Sequence, residues 1–182
     1  MAAQTAKQVI IQKLREAERS VVFDDFKKQE GHVVQGIVQR RDRTGTVIVD
    51  LGKITGIMLA AEQIQRETYR PGSRIRAFVL SVAMGTRGPE ILLSRATPKM
   101  VEEIFQNEIP EIADGAVTIK GIARDPGNRS KVAVWTGDES IDPIGSCIGQ
   151  RGSRITTIID ELGGEKIDMI LFHEQSADYI KA

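Results

Sequence analysis

The sequence is poor in sulfur and in rings. One cysteine, Cys147, stands among 182 residues, so no internal disulfide framework holds the chain, and its place at an apolar helix end reads as a small buried hydrophobe. Aromatic residues make up only 4% of the chain, with Trp135 the single tryptophan, so any core has to be built from aliphatic side chains. The two histidines, His32 and His173, lie far apart with no metal-ligand spacing around them. No carboxylate cluster is spaced for a pair of metal ions. These gaps argue against an enzyme: no catalytic residue, metal or cofactor is expected. No apolar run approaches the roughly 20 residues needed to span a bilayer, and the N-terminus lacks the apolar stretch of a secretory signal. A cytoplasmic protein with no membrane partner is the expectation.

What is present is enough aliphatic material for one or two compact domains, 41% of the chain being hydrophobic. The formal charge of zero conceals an asymmetry. Residues 31–96 carry ten Lys/Arg against five Asp/Glu, whereas residues 97–182 carry nine against fifteen. A basic middle third suits an anionic partner, and in the acidic last third positive charge is confined to a few places.

One of those places is residues 145–155, GSCIGQRGSRI. Gly149 and Gly152 bracket Gln150 and Arg151, a helical apolar pattern follows at Ile155, Ile158, Ile159 and Leu162, and no acidic residue falls between Pro143 and Ile159. Glycines let another backbone come close, and a following helix aims its unpaired N–H groups and positive dipole end at the loop. The spacing does not supply the G-x-x-x-x-G-K-[ST] of a nucleotide-hydrolysing phosphate loop. It resembles the G-x-x-G loop with which KH modules clamp four nucleotides of single-stranded backbone.

Along the chain, Ile10, Leu14, Ala17 and Val21 describe one stripe of a long helix over residues 5–26, and Thr5 with Gln8 has the form of a capping box. Such a helix either packs on its own domain or docks a partner. Five short β-rich runs follow between residues 31 and 96, separated by turn chemistry at residues 43–45, 50–52, 71–73 and 86–89, with one helical turn expected over residues 60–66. That fits a five-stranded OB-fold barrel. GHVVQGIV at 31–38, TVIVDLGKITGIM at 46–58 and PGSRIRA at 71–77 resemble the ribosomal-protein S-one class of OB domain, which binds single-stranded RNA. Only Tyr69 and Phe78 are aromatic there, and the scarcity of stacking residues implies weak binding or a backbone-dominated mode: Arg40, Arg41 and Arg43 at the first hairpin, with Arg74 and Arg76, either contact phosphates or form a solvated basic hairpin.

Thr97 and Pro98 open a further helix that Pro110 stops; two strands joined at residues 125–128, paired helices around the G-x-x-G loop and a last strand near residues 167–172 complete an α-β-β-α-α-β order, the type II KH arrangement. Trp135, on an inward-looking strand, is expected in the core. The whole is an α/β multidomain chain: a long N-terminal helix (residues 1–30), an OB barrel (31–96) and an α+β KH domain (97–182).

QKLREAER at 12–19, EIPEIADG at 108–115, ARDPGNRSKVAV at 123–134, IDPIGSCIG at 141–149 and GEKID at 164–168 resemble the NusA family of bacterial transcription elongation and termination factors. The resemblance implies that the first helix ends a polymerase-contacting domain, that barrel and KH module bind nascent single-stranded RNA, and that RNA polymerase and other antitermination factors are partners of the full-length protein. It places Arg129, Ser130 and Lys131, and Gly145, Ile148, Gly149, Gln150, Arg151, Gly152, Arg154 and Ile155, toward RNA. Arg151 and Arg154 would neutralise phosphate while Ile148 and Ile155 floor a base. The family often has proline where Gln150 stands. An RNA-feeding cap subunit of an RNA-degrading complex is the alternative, since such subunits also join an S-one barrel to a KH module.

Overall fold

The computed structural model describes all of residues 1–182. The chain divides into two compact units, one of Met1–Ala60 with Tyr69–Ser94, the other of Ala61–Thr68 with Arg95–Ala182. No helix is long and apolar enough to cross a membrane.

In the first unit, α1 (Ala2–Lys27) leads into β1 (Val33–Arg41), β2 (Val47–Asp50), β3 (Thr55–Met58), β4 (Arg74–Gly85) and β5 (Gly88–Ser94). The strands close into a barrel in the order β1-β2-β3-β5-β4, antiparallel throughout except for the parallel β3–β5 pair. Register shifts between Val38 and Arg40 on β1, and between Val79 and Ser81 on β4, are the bulges that bend long strands around a closed sheet. Alternation puts Val38, Val47, Val49, Met58, Val79 and Leu93 inside, all buried, as the aliphatic composition requires.

Of the two alternatives for helix α1, packing of the whole stripe on its own unit is not what the structure shows. Its first twenty residues are exposed, Ile10 and Leu14 to 60% each and Val21 to 58%, so the stripe does not pack on this unit. Only the last turns reach the barrel: Phe26 is buried in the core, with Val22 and Phe23 packed against it. No side chain caps the helix, and Thr5 lies within the first turn, its hydroxyl donating to the Met1 carbonyl. Beyond the helix, Glu30 accepts from Lys27 Nζ at 2.7 Å and from the Val82 amide at 2.8 Å, and these bonds hold its carboxyl below the ordinary value.

The second unit contains α2 (Pro98–Glu108), α3 (Pro110–Ala113), β6 (Thr118–Asp125), β7 (Arg129–Trp135), α4 (Pro143–Ile148), α5 (Ser153–Glu161), β8 (Lys166–Leu171) and α6 (Ser176–Lys181). Pro110 ends α2 as expected but also opens α3, because a proline suits a first helical turn. β7 is central, antiparallel to β6 and parallel to β8. Met100, Ile104 and Phe105 of α2, Val132 and Val134 of β7, Cys147 of α4 and Ile158 of α5 build the core.

Residues 61–68, which lie between β3 and β4 in sequence, fold with this second unit. The helical turn expected at 60–66 is only a 3-10 turn, Ala60–Glu62; beyond it Ile64 is buried and Glu67 accepts from Arg95 Nε at 2.7 Å. Arg95 also donates to the Glu161 carbonyl at 3.0 Å. A second ion pair is fully buried. Glu165 accepts from Arg124 Nε and Nη2, both at 3.0 Å, from the Gly127 amide at 2.8 Å and from Ser130 Oγ, while Arg124 Nη1 reaches the Thr97 carbonyl at 2.7 Å. Ion pairs this deep stabilise only where every hydrogen bond is satisfied; here they tie the β6–β7 turn and the α5–β8 loop to the start of α2.

Candidate nucleic-acid interface

The loop between α4 and α5 is shaped by caps and by left-handed backbone. Asp142 caps α4, its side chain accepting from the Ile144 amide at 3.1 Å, and Pro143 fills the first helical position. Gly149 ends the helix at φ 73°, ψ 177°, a region that essentially only glycine occupies, and a Cβ there would come to 2.8 Å from Arg154 Cγ. Gln150–Gly152 form a 3-10 turn in which Arg151 sits at φ 55°, the one non-glycine residue of the chain with positive φ. Left-handed backbone costs a non-glycine residue about 1–2 kcal/mol. The turn leaves Gln150 and Arg151 exposed. Helix α5 starts immediately after; the Ser153 N–H donates back to the Gln150 carbonyl, and the helix directs its positive end at the loop.

A shallow cleft of about 830 Å³ opens here, lined by Gly145, Gly149, Gln150, Ser153 and Arg154 together with Glu111 and Asp142. Four of the expected residues therefore meet in one place. Gly152 and Ile155 are half-buried just beyond that lining, and Ile148 is 36% exposed on α4. Arg154 is already engaged within the protein. Its Nη1 donates to Glu111 Oε2 at 2.8 Å and to the Ser146 carbonyl at 2.7 Å, so the guanidinium joins α5 to α3 and to the last turn of α4. The freely exposed cation of the loop is Arg151.

Beside α4 and α5 lies an apolar strip that sequence reading missed. Ile167, Met169 and Leu171 of β8 are in register with Ser130, Val132 and Val134 of β7 and share their face, against which α4 and α5 pack. The β7 residues are fully buried, but those of β8 stay half-exposed. Their signal is the alternation of β8, Ile167, Met169 and Leu171 on one face, which the apolar Ile170 on the other face obscures.

The three residues at the start of β7 separate. Ser130 is buried and donates to Glu165, so it cannot face RNA; strand alternation turns it into the core. Arg129 and Lys131 project from the opposite sheet face, away from α4 and α5, and Arg129 Nε pairs with Asp168 Oδ2 at 2.7 Å. Trp135 shares that outer face. It is 37% exposed with Lys120 Nζ 4.6 Å from its ring centre, not a core residue, because it follows Arg129 and Lys131 at even spacing.

On the barrel, Arg40, Arg41 and Arg43 are all exposed around a hairpin that Asp42 orders by accepting from the Thr44 hydroxyl and from the amides of Thr44 and Thr46; these bonds lower its carboxyl, the Thr44 hydroxyl most. Arg41 Nε donates to the Gly45 carbonyl at 3.2 Å. Cys147 is inert: burial first, and then the negative charge of Glu111, push its thiol up to about 12.

A closed five-stranded barrel and a three-stranded sheet with a glycine-bracketed loop between paired helices define a tandem of two nucleic-acid-binding modules. The comparisons agree: residues 27–94 match the family model of the S1 RNA binding domain, and residues 95–172 that of the NusA-like first KH domain. Proteins described as transcription termination/antitermination protein NusA are similar over nearly the whole chain: that of Halalkalibacterium halodurans is 44% identical over 180 residues, that of Thermus thermophilus 44% over 181, and that of Bacillus subtilis 43% over 180. These alignments take in 99–100% of this chain and 47–48% of each relative, so the chain spans about half the length of the curated relatives it matches. The chain belongs to the NusA family.

Proposed function

We propose that this chain is the RNA-binding portion of a transcription termination/antitermination factor, acting without catalysis. It holds nascent single-stranded RNA at the Gly149–Gly152 loop and so biases pausing and termination by RNA polymerase. The backbone of the loop carries this reading. Two left-handed residues in succession, Arg151 at φ 55° and Gly152 at φ 77°, expose the guanidinium of Arg151 beside the N-terminus of α5. A phosphodiester lying across Gly149 and Gly152 meets no side chain, accepts from the α5 amides and is neutralised by Arg151. The half-exposed strip of Ile167, Met169 and Leu171 suits the apolar faces of bases. RNA polymerase and other antitermination factors are the partners that the family name implies for the longer protein.

Gly152→Asp is the cleanest test. A Cβ at Gly152 would find only Ile155 Cγ2, at 3.9 Å, and Asp tolerates left-handed backbone, so the fold survives while a negative charge enters the phosphate path. Loss of RNA binding by anisotropy, with an unchanged circular dichroism melt, is expected. Unaltered affinity in the folded variant refutes the loop as the RNA site.

A further inference from the structure

A second cleft lies wholly within the first unit, lined by residues of α1, β3 and β5 and of the turns that lead into those strands. It measures about 610 Å³, inside the range of about 300–1,000 Å³ typical of ligand sites. Arg15 and Arg19, one helical turn apart on a single face of α1, line one wall; Lys53 and Arg87, from the β2–β3 and β4–β5 turns, line the other. Lys53 is tied to Asp25 at 3.0 Å, but Arg15, Arg19 and Arg87 have no carboxylate partner. Unpaired cations converging from two separate segments, α1 and the β4–β5 turn, are not needed for the barrel, whose core is complete without them. The floor between them is apolar, formed by Val22, Ile54 and Ile57.

From this we propose that the α1–β3–β5 cleft is a second binding site for single-stranded RNA, separate from the G-x-x-G loop. The inference rests on the RNA-binding reading of the chain and extends it to a surface that includes the helix preceding the barrel. Three features favour RNA over an acidic polypeptide. The three free cations of the cleft are all arginines, whose planar forks grip phosphate with two hydrogen bonds and stack on bases, replacing the aromatic platforms this barrel lacks. The floor is hydrophobic, as an unstacked base requires. Glu18 and Glu90 also line the cleft; they repel either polyanion, but they can accept from base amino groups, donors that a run of acidic side chains lacks.

The test uses the whole chain with three glutamine substitutions, Arg15→Gln, Arg19→Gln and Arg87→Gln, which keep the side-chain stems and remove the charge. Two RNA probes are titrated against salt: a long randomised single strand, and a short one of about four nucleotides, the length that a G-x-x-G loop clamps. The triple variant should bind the long RNA at least tenfold more weakly. Its log–log salt slope should be shallower by about 2, from three phosphate contacts at about 0.7 each. Its affinity for the short RNA should not change, whereas Gly152→Asp should weaken both. Retention of long-RNA affinity and slope by the triple variant overturns the proposal. So does binding of polyaspartate that disappears in the triple variant while RNA binding persists, which makes the occupant an acidic polypeptide. If the unmodified protein binds neither RNA, the underlying RNA-binding reading falls as well, and that outcome is recognisable because Gly152→Asp then has no effect to show.

Discussion

Arg154 and Glu111 are joined by a 2.8 Å ion pair that fastens the first turn of α5 to α3, with the same guanidinium nitrogen donating to the Ser146 carbonyl of α4. The arginine thus sets the angle between the two helices that carry the G-x-x-G loop. Its stem also occupies the space that any side chain at Gly149 would need.

Arg154→Ala should therefore leave the fold standing, since a partly exposed pair contributes at most about 1 kcal/mol, yet lower RNA affinity roughly tenfold through a loosened loop. Arg154→Lys separates the two possible roles. A lysine supplies a charge for phosphate but cannot reproduce both hydrogen bonds, so affinity should remain low; full rescue in an anisotropy titration shows that Arg154 touches RNA directly.

The Glu165 cluster makes a prediction of opposite kind. Arg124 and Glu165 have no exposed side-chain surface, so removing one partner strands a buried charge and should destabilise the protein by about 3–5 kcal/mol, read from urea unfolding of Glu165→Ala. Ser130→Ala should cost about 1 kcal/mol and leave RNA affinity unchanged. A selective loss of RNA binding in that variant contradicts its placement in the core.

Trp135 is the only tryptophan, so its fluorescence reports one site. Being 37% exposed, it should be quenched by acrylamide in the native protein, and Trp135→Phe should change stability by less than about 0.5 kcal/mol. Lys120→Ala should alter the emission by removing the cation above the ring. Emission typical of a buried indole, insensitive to quencher, contradicts the outer-face position.

Cys147 links pH to stability. Its thiol is held near 12 in the folded chain but titrates near about 8.5 when unfolded. A raised folded value means that its contribution is fully present below the unfolded value and is lost as pH rises above it. Stability should decline above about pH 8.5, and Cys147→Ala should flatten that decline; thiol labelling of the native protein at pH 8 should proceed only as fast as it opens. Rapid labelling without unfolding contradicts the burial.

Much of the architecture was legible because it depends on local chemistry. The turns at residues 43–45 and 71–73 punctuate β-rich runs, Thr97 and Pro98 announce α2, and glycines at 149 and 152 mark the loop; each signal acts within a few residues and survives without its tertiary neighbours. The errors arose where a side chain's surroundings come from distant segments. Trp135 and Ser130 stand opposite to their expected places because β7 has buried residues on both faces, Ala133 as well as Val132 and Val134, so the alternation that separates inside from outside is masked.

By itself, the sequence determined that there would be a small aliphatic barrel, a mixed αβ module and a basic glycine-bracketed loop, since hydrophobic period, turn residues and caps are encoded over a handful of positions. Only the tertiary structure decided which arginines are free. Arg151 and Arg154 are indistinguishable as letters, yet Glu111, 43 residues away from Arg154 in sequence, binds one guanidinium and leaves the other exposed. The same holds for Arg15, Arg19 and Arg87, brought to one cleft by the docking of the end of α1 on the barrel that follows it. Charge is written in the sequence, but whether a charge is spent on a protein carboxylate or left for a ligand depends on which segments the folded core brings within a few ångströms.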